Sequence, residues 1–118
     1  MDKYKLVIRG EQPLSGETYV SGGKNTSLAV VPAVLLSDAP CTIENLPDIE
    51  DIHVLYRILR GMGAVIDYNR SEKRMTIDPR GINTCRVPFH YAQLLRASYY
   101  FMGALLGRFG MAEVGYPG

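Results

Sequence analysis

The sequence is poor in the residues from which metal sites and disulfide frameworks are built. It has two cysteines in 118 residues, and only two histidines. Cys41 and Cys85 lack the C-x-x-C spacing of a zinc site. Both fall in stretches with strand character, where a thiol ordinarily serves as a small, buried, inert group. Neither a disulfide scaffold nor a metal site is expected, and no cofactor is implied. An excess of either charge is missing as well: 13 Lys and Arg against 12 Asp and Glu leave a formal net charge of +1. That balance gives no electrostatic case for nucleic acid or a membrane surface as partner. Any anion site must therefore be local. Long apolar runs are also absent. The longest, Leu28 to Leu36, is far too short to span a bilayer. Met1-Asp2-Lys3 leads into a short alternating stretch, not into the apolar core of a signal peptide. The expected location is the cytoplasm, where thiols stay reduced.

What is present is the composition of a soluble globular chain, 47% hydrophobic and 21% charged. Lys5 to Arg9 and Glu17 to Val20 read as short strands around the turn-rich "GEQPLSGE". Lys24 to about Ser37 reads as a helix, apolar nearly all round and so expected to be buried. Pro32 deletes one intrahelical bond there and predicts a kink, or a start nearer the proline. Cys41 to Glu44 is a strand, followed by the turn "NLPD". From about Ile49 to Met62, Ile52, Leu55, Ile58, Leu59 and Met62 form a 3.6-residue stripe. Asp48 is the expected N-cap, Asp51 a carboxylate near the positive helix end, and Gly61 and Gly63 mark the stop. Ala64 to Tyr68 and Arg74 to Asp78 predict a hairpin around "NRSEK". A second unit begins with a long helix over 87–110 and a strand from Ala112 to Tyr116. The fold class is α/β (α+β), with one βαβαββ unit over 22–86 and the start of another over 87–118. A repeat that starts without finishing reads as part of something larger.

Two places carry residues suited to chemistry. Gly22 and Gly23 precede Lys24-Asn25 at the expected helix start. The glycines permit backbone angles closed to other residues, the helix start offers free N–H groups, and Lys24 adds a full charge. Asn25 adds a donor and an acceptor. This composition suits a phosphate or carboxylate, and equally a strand-to-helix turn with a solvated lysine. It is not a P-loop, because G-x-x-x-x-G-K-[ST] is absent. Arg96 is the second place. Ala92, Arg96, Tyr100, Gly103 and Gly107 share a helical lane of mostly small residues. An arginine there can hold a carboxylate or phosphate through two N–H groups. It can also sit in a packing seam and pair with Asp51. His53 on a mostly solvated face, His90 in a first helical turn, and Glu44 and Glu113 in expected strands are weaker candidates. The eight tyrosines read as core and rim, since no basic patch interleaves them.

Taken together, "SGGKNTSL", "NLPDIEDIHVLYRILRGMGA", "LLRASYYFMGALLGRFG" and "YPG" resemble the UDP-N-acetylglucosamine 1-carboxyvinyltransferases of the enolpyruvyl transferase family. The match runs in register along the whole chain. The shikimate-pathway enolpyruvyl transferase fits less well, having a serine-rich pattern in place of Lys24-Asn25. RNA terminal-phosphate cyclases fit worse. The resemblance implies an inside-out α/β barrel of two lobes, each built of βαβαββ units, with this chain as an incomplete first lobe. Residues 1–21 would pack with the second lobe, and 22–118 would begin the first. It implies transfer of the enolpyruvyl group of phosphoenolpyruvate to the 3-hydroxyl of UDP-N-acetylglucosamine, the opening step of peptidoglycan synthesis. Lys24 and Asn25 would bind phosphoenolpyruvate and Arg96 the nucleotide sugar, with Asp51 beside it. The family's general-acid loop would follow Gly118, so no catalytic acid is expected within this chain, and neither Cys41 nor Cys85 aligns with it. On this reading the chain is inactive alone. The alternatives are a truncated, non-catalytic module that binds a nucleotide sugar or a protein partner, and a fragment that associates with its own copies through apolar helix faces.

Overall fold

Three antiparallel strands, β1 (Cys41–Ile43), β2 (Val65–Asn69) and β3 (Arg74–Asp78), form a sheet in the order β1-β3-β2. The computed structural model describes residues 3–94 and 96–115. Residues β2 and β3 are the expected hairpin, with Tyr68 opposite Met75 and Ile66 opposite Ile77. Asn69 closes its turn, its Oδ1 accepting from Ser71 Oγ at 2.8 Å and from the Glu72 N–H at 3.0 Å. On β3, Met75 and Ile77 alternate into the core, the period-2 pattern of a strand with one buried face.

Helix α2 (Glu50–Met62) lies against that face. The whole stripe of Ile52, Leu55, Ile58, Leu59 and Met62 is buried, joined by Val54. The helix ends in a Schellman motif: Ala64 N–H donates to Leu59 O at 3.0 Å and Gly63 N–H to Arg60 O at 3.2 Å, with Gly63 at φ 115°. Gly61 remains inside the helix. The N-terminus differs from expectation. Ile49 holds the cap position without a side-chain cap. Asp48 is engaged elsewhere, accepting from His53 Nε2 at 2.8 Å and from Arg70 Nε at 3.1 Å. These bonds, His53 first and then Arg70, hold the Asp48 carboxyl below its usual range. Asp48 is thus the tie between helix start and hairpin turn, and His53, its side chain only 16% exposed, is its partner on the helix and not a residue of the solvated face.

Helix α1 (Lys24–Ala33) passes into a 3-10 turn, Val34–Leu36, directly after Pro32-Ala33. The change of winding takes the place of the expected kink. Leu28, Val31, Pro32, Val34 and Leu35 face the core, whereas Val30 and Leu36 are exposed. The expectation of burial all round is therefore wrong: only one side of the helix has a neighbour among the described residues. Phe101, Ala104 and Leu105 of α4 (Tyr100–Phe109) complete the core.

Four further expectations are corrected. Residues 5–9 and 17–20 are not strands. Residues 3–23 have no regular structure, and their apolar side chains stand in solvent, Tyr19 fully so at 101%. A strand needs a partner to satisfy its backbone groups, and the described sheet pairs with neither stretch. The long helix over 87–110 is three pieces: α3 (Phe89–Leu94), a 3-10 turn over Arg96–Tyr99, and α4. The strand after it reduces to one parallel bridge, Arg86 to Glu113, with Val87 N–H donating to Glu113 O at 2.9 Å. Tyr116, Pro117 and Gly118 lie outside the described residues. Cys41 and Cys85 are free thiols and half-buried, not fully enclosed.

At the end of β3, Asp78 accepts from Arg80 at the backbone N–H (3.1 Å), Nε (2.9 Å) and Nη2 (2.8 Å). Those bonds pull its carboxyl from 3.8 down to about 2. A carboxyl depressed on folding adds stability that is complete above its unfolded pKa and disappears as pH falls through the folded one. Between pH 3.8 and about 2 the urea midpoint of the parent should therefore fall more steeply than that of Asp78→Asn. Parallel acid limbs would show that the pair contributes nothing. Asp48, depressed in the same direction, leaves both chains some residual slope.

Candidate functional site

Four side chains singled out in the sequence meet at one cleft of about 600 Å³, lined by Lys24, Asn25, Leu28, Asp51, Arg96, Tyr99 and Tyr100. Three separate stretches bring them there. Lys24 and Asn25 are the first residues of α1, which has no side-chain cap and no acidic residue in its first turn. No carboxylate of its own first turn neutralises the positive end of the helix. Asp51 stands in the first turn of α2, and Arg96 opens the 3-10 turn before α4.

Lys24 Nζ lies 3.4 Å from Asp51 Oδ2, with the lysine side chain 59% exposed and the carboxylate 31%. An ion pair this open contributes little, about 0–1 kcal/mol. Asp51 orients the ammonium without removing it from use. The partner that Asp51 takes is Lys24, not Arg96 as the sequence suggested. Arg96 is exposed, so its guanidinium is available for a bidentate contact. Two cations and one carboxylate leave the cleft locally positive in a chain that is nearly neutral overall.

Gly22 and Gly23 work differently from expectation. Gly23 adopts ordinary extended angles, φ −74° and ψ 133°, and its carbonyl accepts from Ser27 N (3.1 Å) and Ser27 Oγ (2.7 Å). Gly22 is required for space. A Cβ built there would stand 1.8 Å from the carbonyl oxygen of Asn45.

Tyr99, Tyr100 and Leu28 line the cleft without having been singled out for it. The i,i+4 relation of Tyr100 to Arg96 was the available signal. The lane drawn through Gly103 and Gly107 does not persist as one seam: a Cβ at Gly107 would meet Leu36 Cδ2 at 2.7 Å, whereas one at Gly103 would meet nothing within 4 Å. His53, His90, Glu44, Glu113 and both cysteines lie outside the cleft lining. No group of three or more His, Cys, Asp or Glu among the described residues could hold a metal ion. No helix among them is long and apolar enough to cross a membrane.

This scaffold is shared with a solved enolpyruvyl transferase, NikO from Streptomyces tendae. The likeness has a TM-score of 0.74 and 33% sequence identity, covering 84% of this chain and 23% of NikO. Residues 8–118 match the family model of EPSP synthase (3-phosphoshikimate 1-carboxyvinyltransferase), and the chain belongs to that family. Within it, the chain is 46% identical over 114 residues to UDP-N-acetylglucosamine 1-carboxyvinyltransferase 3 of Caldanaerobacter subterraneus subsp. tengcongensis. Identity is also 46% to the UDP-N-acetylglucosamine 1-carboxyvinyltransferase of Streptococcus pneumoniae serotype 2 and to enzyme 2 of that name from Lactococcus lactis. Each alignment covers 97% of this chain and 27% of the relative, so the chain spans about a quarter of their length.

Proposed function

We propose that this chain is the first part of a carboxyvinyltransferase that moves the enolpyruvyl group of phosphoenolpyruvate onto the 3-hydroxyl of UDP-N-acetylglucosamine. The observation that carries the reading is the convergence of Lys24, Asn25, Asp51 and Arg96 on one cleft from three stretches of chain. The 46% identity to enzymes of that name favours the nucleotide-sugar branch over the shikimate branch. A cytoplasmic site of action and a place in cell-wall synthesis follow from the proposal. So does the division of the chain: 1–21 pairing with a second lobe, 22–86 forming one unit, and 87–118 beginning the next. The exposed apolar residues of 3–23 suit such a pairing.

In this reading Lys24 and Asn25 hold phosphoenolpyruvate at the start of α1, where ammonium and helix end both favour an anion. Arg96 takes a phosphate of the nucleotide sugar. The hydroxyl oxygen adds to C2 as it gives up its proton and C3 gains one. C3 then loses a proton as the C2–O bond to phosphate breaks, which restores the C2=C3 double bond and releases inorganic phosphate. Negative charge moves among carboxylate, tetrahedral centre and departing phosphate. Fixed cations stabilise it with little reorganisation, each contributing about 10²–10³ in rate. Lys24, Asn25 and Arg96 supply charge and position; none is assigned as the proton donor to C3.

The test is calorimetric titration of UDP-N-acetylglucosamine into the chain. Arg96→Ala should weaken binding at least about tenfold, the loss of a charge-assisted pair. Equal affinity for parent and variant would remove Arg96 from the site.

A further inference from the structure

The 3-10 turn over Arg96–Tyr99 interrupts what the sequence predicts as one helix. Such a turn within a helix has poorer hydrogen-bond geometry and often marks a hinge. Ser98 lies in it, at 0% exposure. Its Oγ has no hydrogen-bond partner among the described residues. A buried hydroxyl without a partner is costly and rare enough to require a reason. The other buried serine satisfies itself locally: Ser27 Oγ donates to the carbonyl four residues back, Gly23 O, at 2.7 Å. In an α-helical turn the equivalent acceptor for Ser98 is the carbonyl of Leu94. At three residues per turn that carbonyl is out of line.

The turn also forms part of the cleft wall, through Arg96 and Tyr99, with Tyr100 directly after. Winding decides how those side chains relate. Residues four apart stand about 120° apart around a 3-10 axis and about 40° apart around an α-helix. Rewinding would bring Arg96 and Tyr100 onto one lane and shorten the segment by roughly 2 Å.

We propose that residues 96–99 are a hinge that rewinds from 3-10 to α-helix when an anionic ligand engages Arg96, and that Ser98 is the positioning residue that latches the rewound form by donating its hydroxyl to the Leu94 carbonyl. This rests on the reading of the cleft as a nucleotide-sugar site. The hydroxyl has no partner among the described residues of the free chain and gains one in the bound form. Removing it therefore acts with opposite sign on the two states.

Ser98→Ala separates this role from simple packing. The free variant should melt a few degrees above the parent, because the unpartnered group is gone. Its affinity for UDP-N-acetylglucosamine should nonetheless fall roughly 3- to 10-fold. In the parent, the ¹³Cα shifts of residues 96–99 should move toward α-helical values during the titration. A variant that melts lower than the parent overturns the latch, because the hydroxyl is then already satisfied. Unchanged affinity or static ¹³Cα shifts, with Arg96-dependent binding intact, overturn the hinge alone. Absence of Arg96-dependent binding by the parent removes the cleft assignment and the hinge with it.

Discussion

The Gly22→Ala variant is expected to melt roughly 10 °C or more below the parent chain. The cause is a collision of main chain with main chain. The added methyl would fall 1.8 Å from Asn45 O, 3.0 Å from Asn45 C and 3.4 Å from Pro47 Cδ. No rotamer relieves it, since a Cβ has none. Asn45 cannot move freely either: it holds φ 59°, and Leu46 beside it is buried, with its N–H donating to Lys73 O at 2.9 Å. Overpacking of this kind costs on the order of 3 kcal/mol or more when the backbone must yield. Gly23→Ala is the control. Its methyl would meet only Thr26, at 3.4 Å, an ordinary contact. It should lose no more than about 1 kcal/mol, the preference of a helix cap for glycine over alanine. Equal melting of the two variants, by circular dichroism, would show that the crossing of residues 22 and 45 is not as tight as described.

A loss of about 10²–10³ in turnover is expected for Lys24→Ala once the segment works within a complete enzyme. The experiment grafts this chain in place of the corresponding 114 residues of the Streptococcus pneumoniae relative. Phosphate release is then followed in the grafted enzyme with and without the substitution. Lys24 opens α1, and its ammonium is only loosely held by Asp51 at 3.4 Å. The charge is available to an incoming anion, and the loose pair costs little to rearrange. Lys24→Arg restores charge but not shape, so it should recover only part of the lost rate. Turnover of Lys24→Ala within about twofold of the grafted parent would defeat the proposed role.

The sequence was most legible where one physical signal dominated. The stripe on α2, the alternation on β3 and the Gly63 stop each matched a single period or a single conformational demand, and the structure repeats them. Lys24, Asn25 and Arg96 stood out as candidates because charged or amide groups beside apolar runs require a reason, and Asp51 as a partner for Arg96. Their meeting place was not, because it depends on how α1, α2 and the 96–99 turn pack together. Errors fell where a local signal met a competing partner. Asp48 looked like a cap, but His53 and Arg70 claim its carboxylate. Residues 5–9 and 17–20 are rich in β-prone residues, yet propensity supplies no neighbour to bond. The 87–110 helix reads as continuous because nothing in its composition announces a change of winding at Ser98.

The three stretches around the cleft are far apart in sequence and are held in place by one shared core. A molecule that touches all three will bind the folded chain and not the unfolded one. Occupancy will thus raise resistance to heat and protease by mass action, in proportion to the logarithm of ligand excess over its dissociation constant. The same linkage runs in reverse: a core substitution that loosens α1 against α2 will be read as poorer affinity even if no contacting atom has changed.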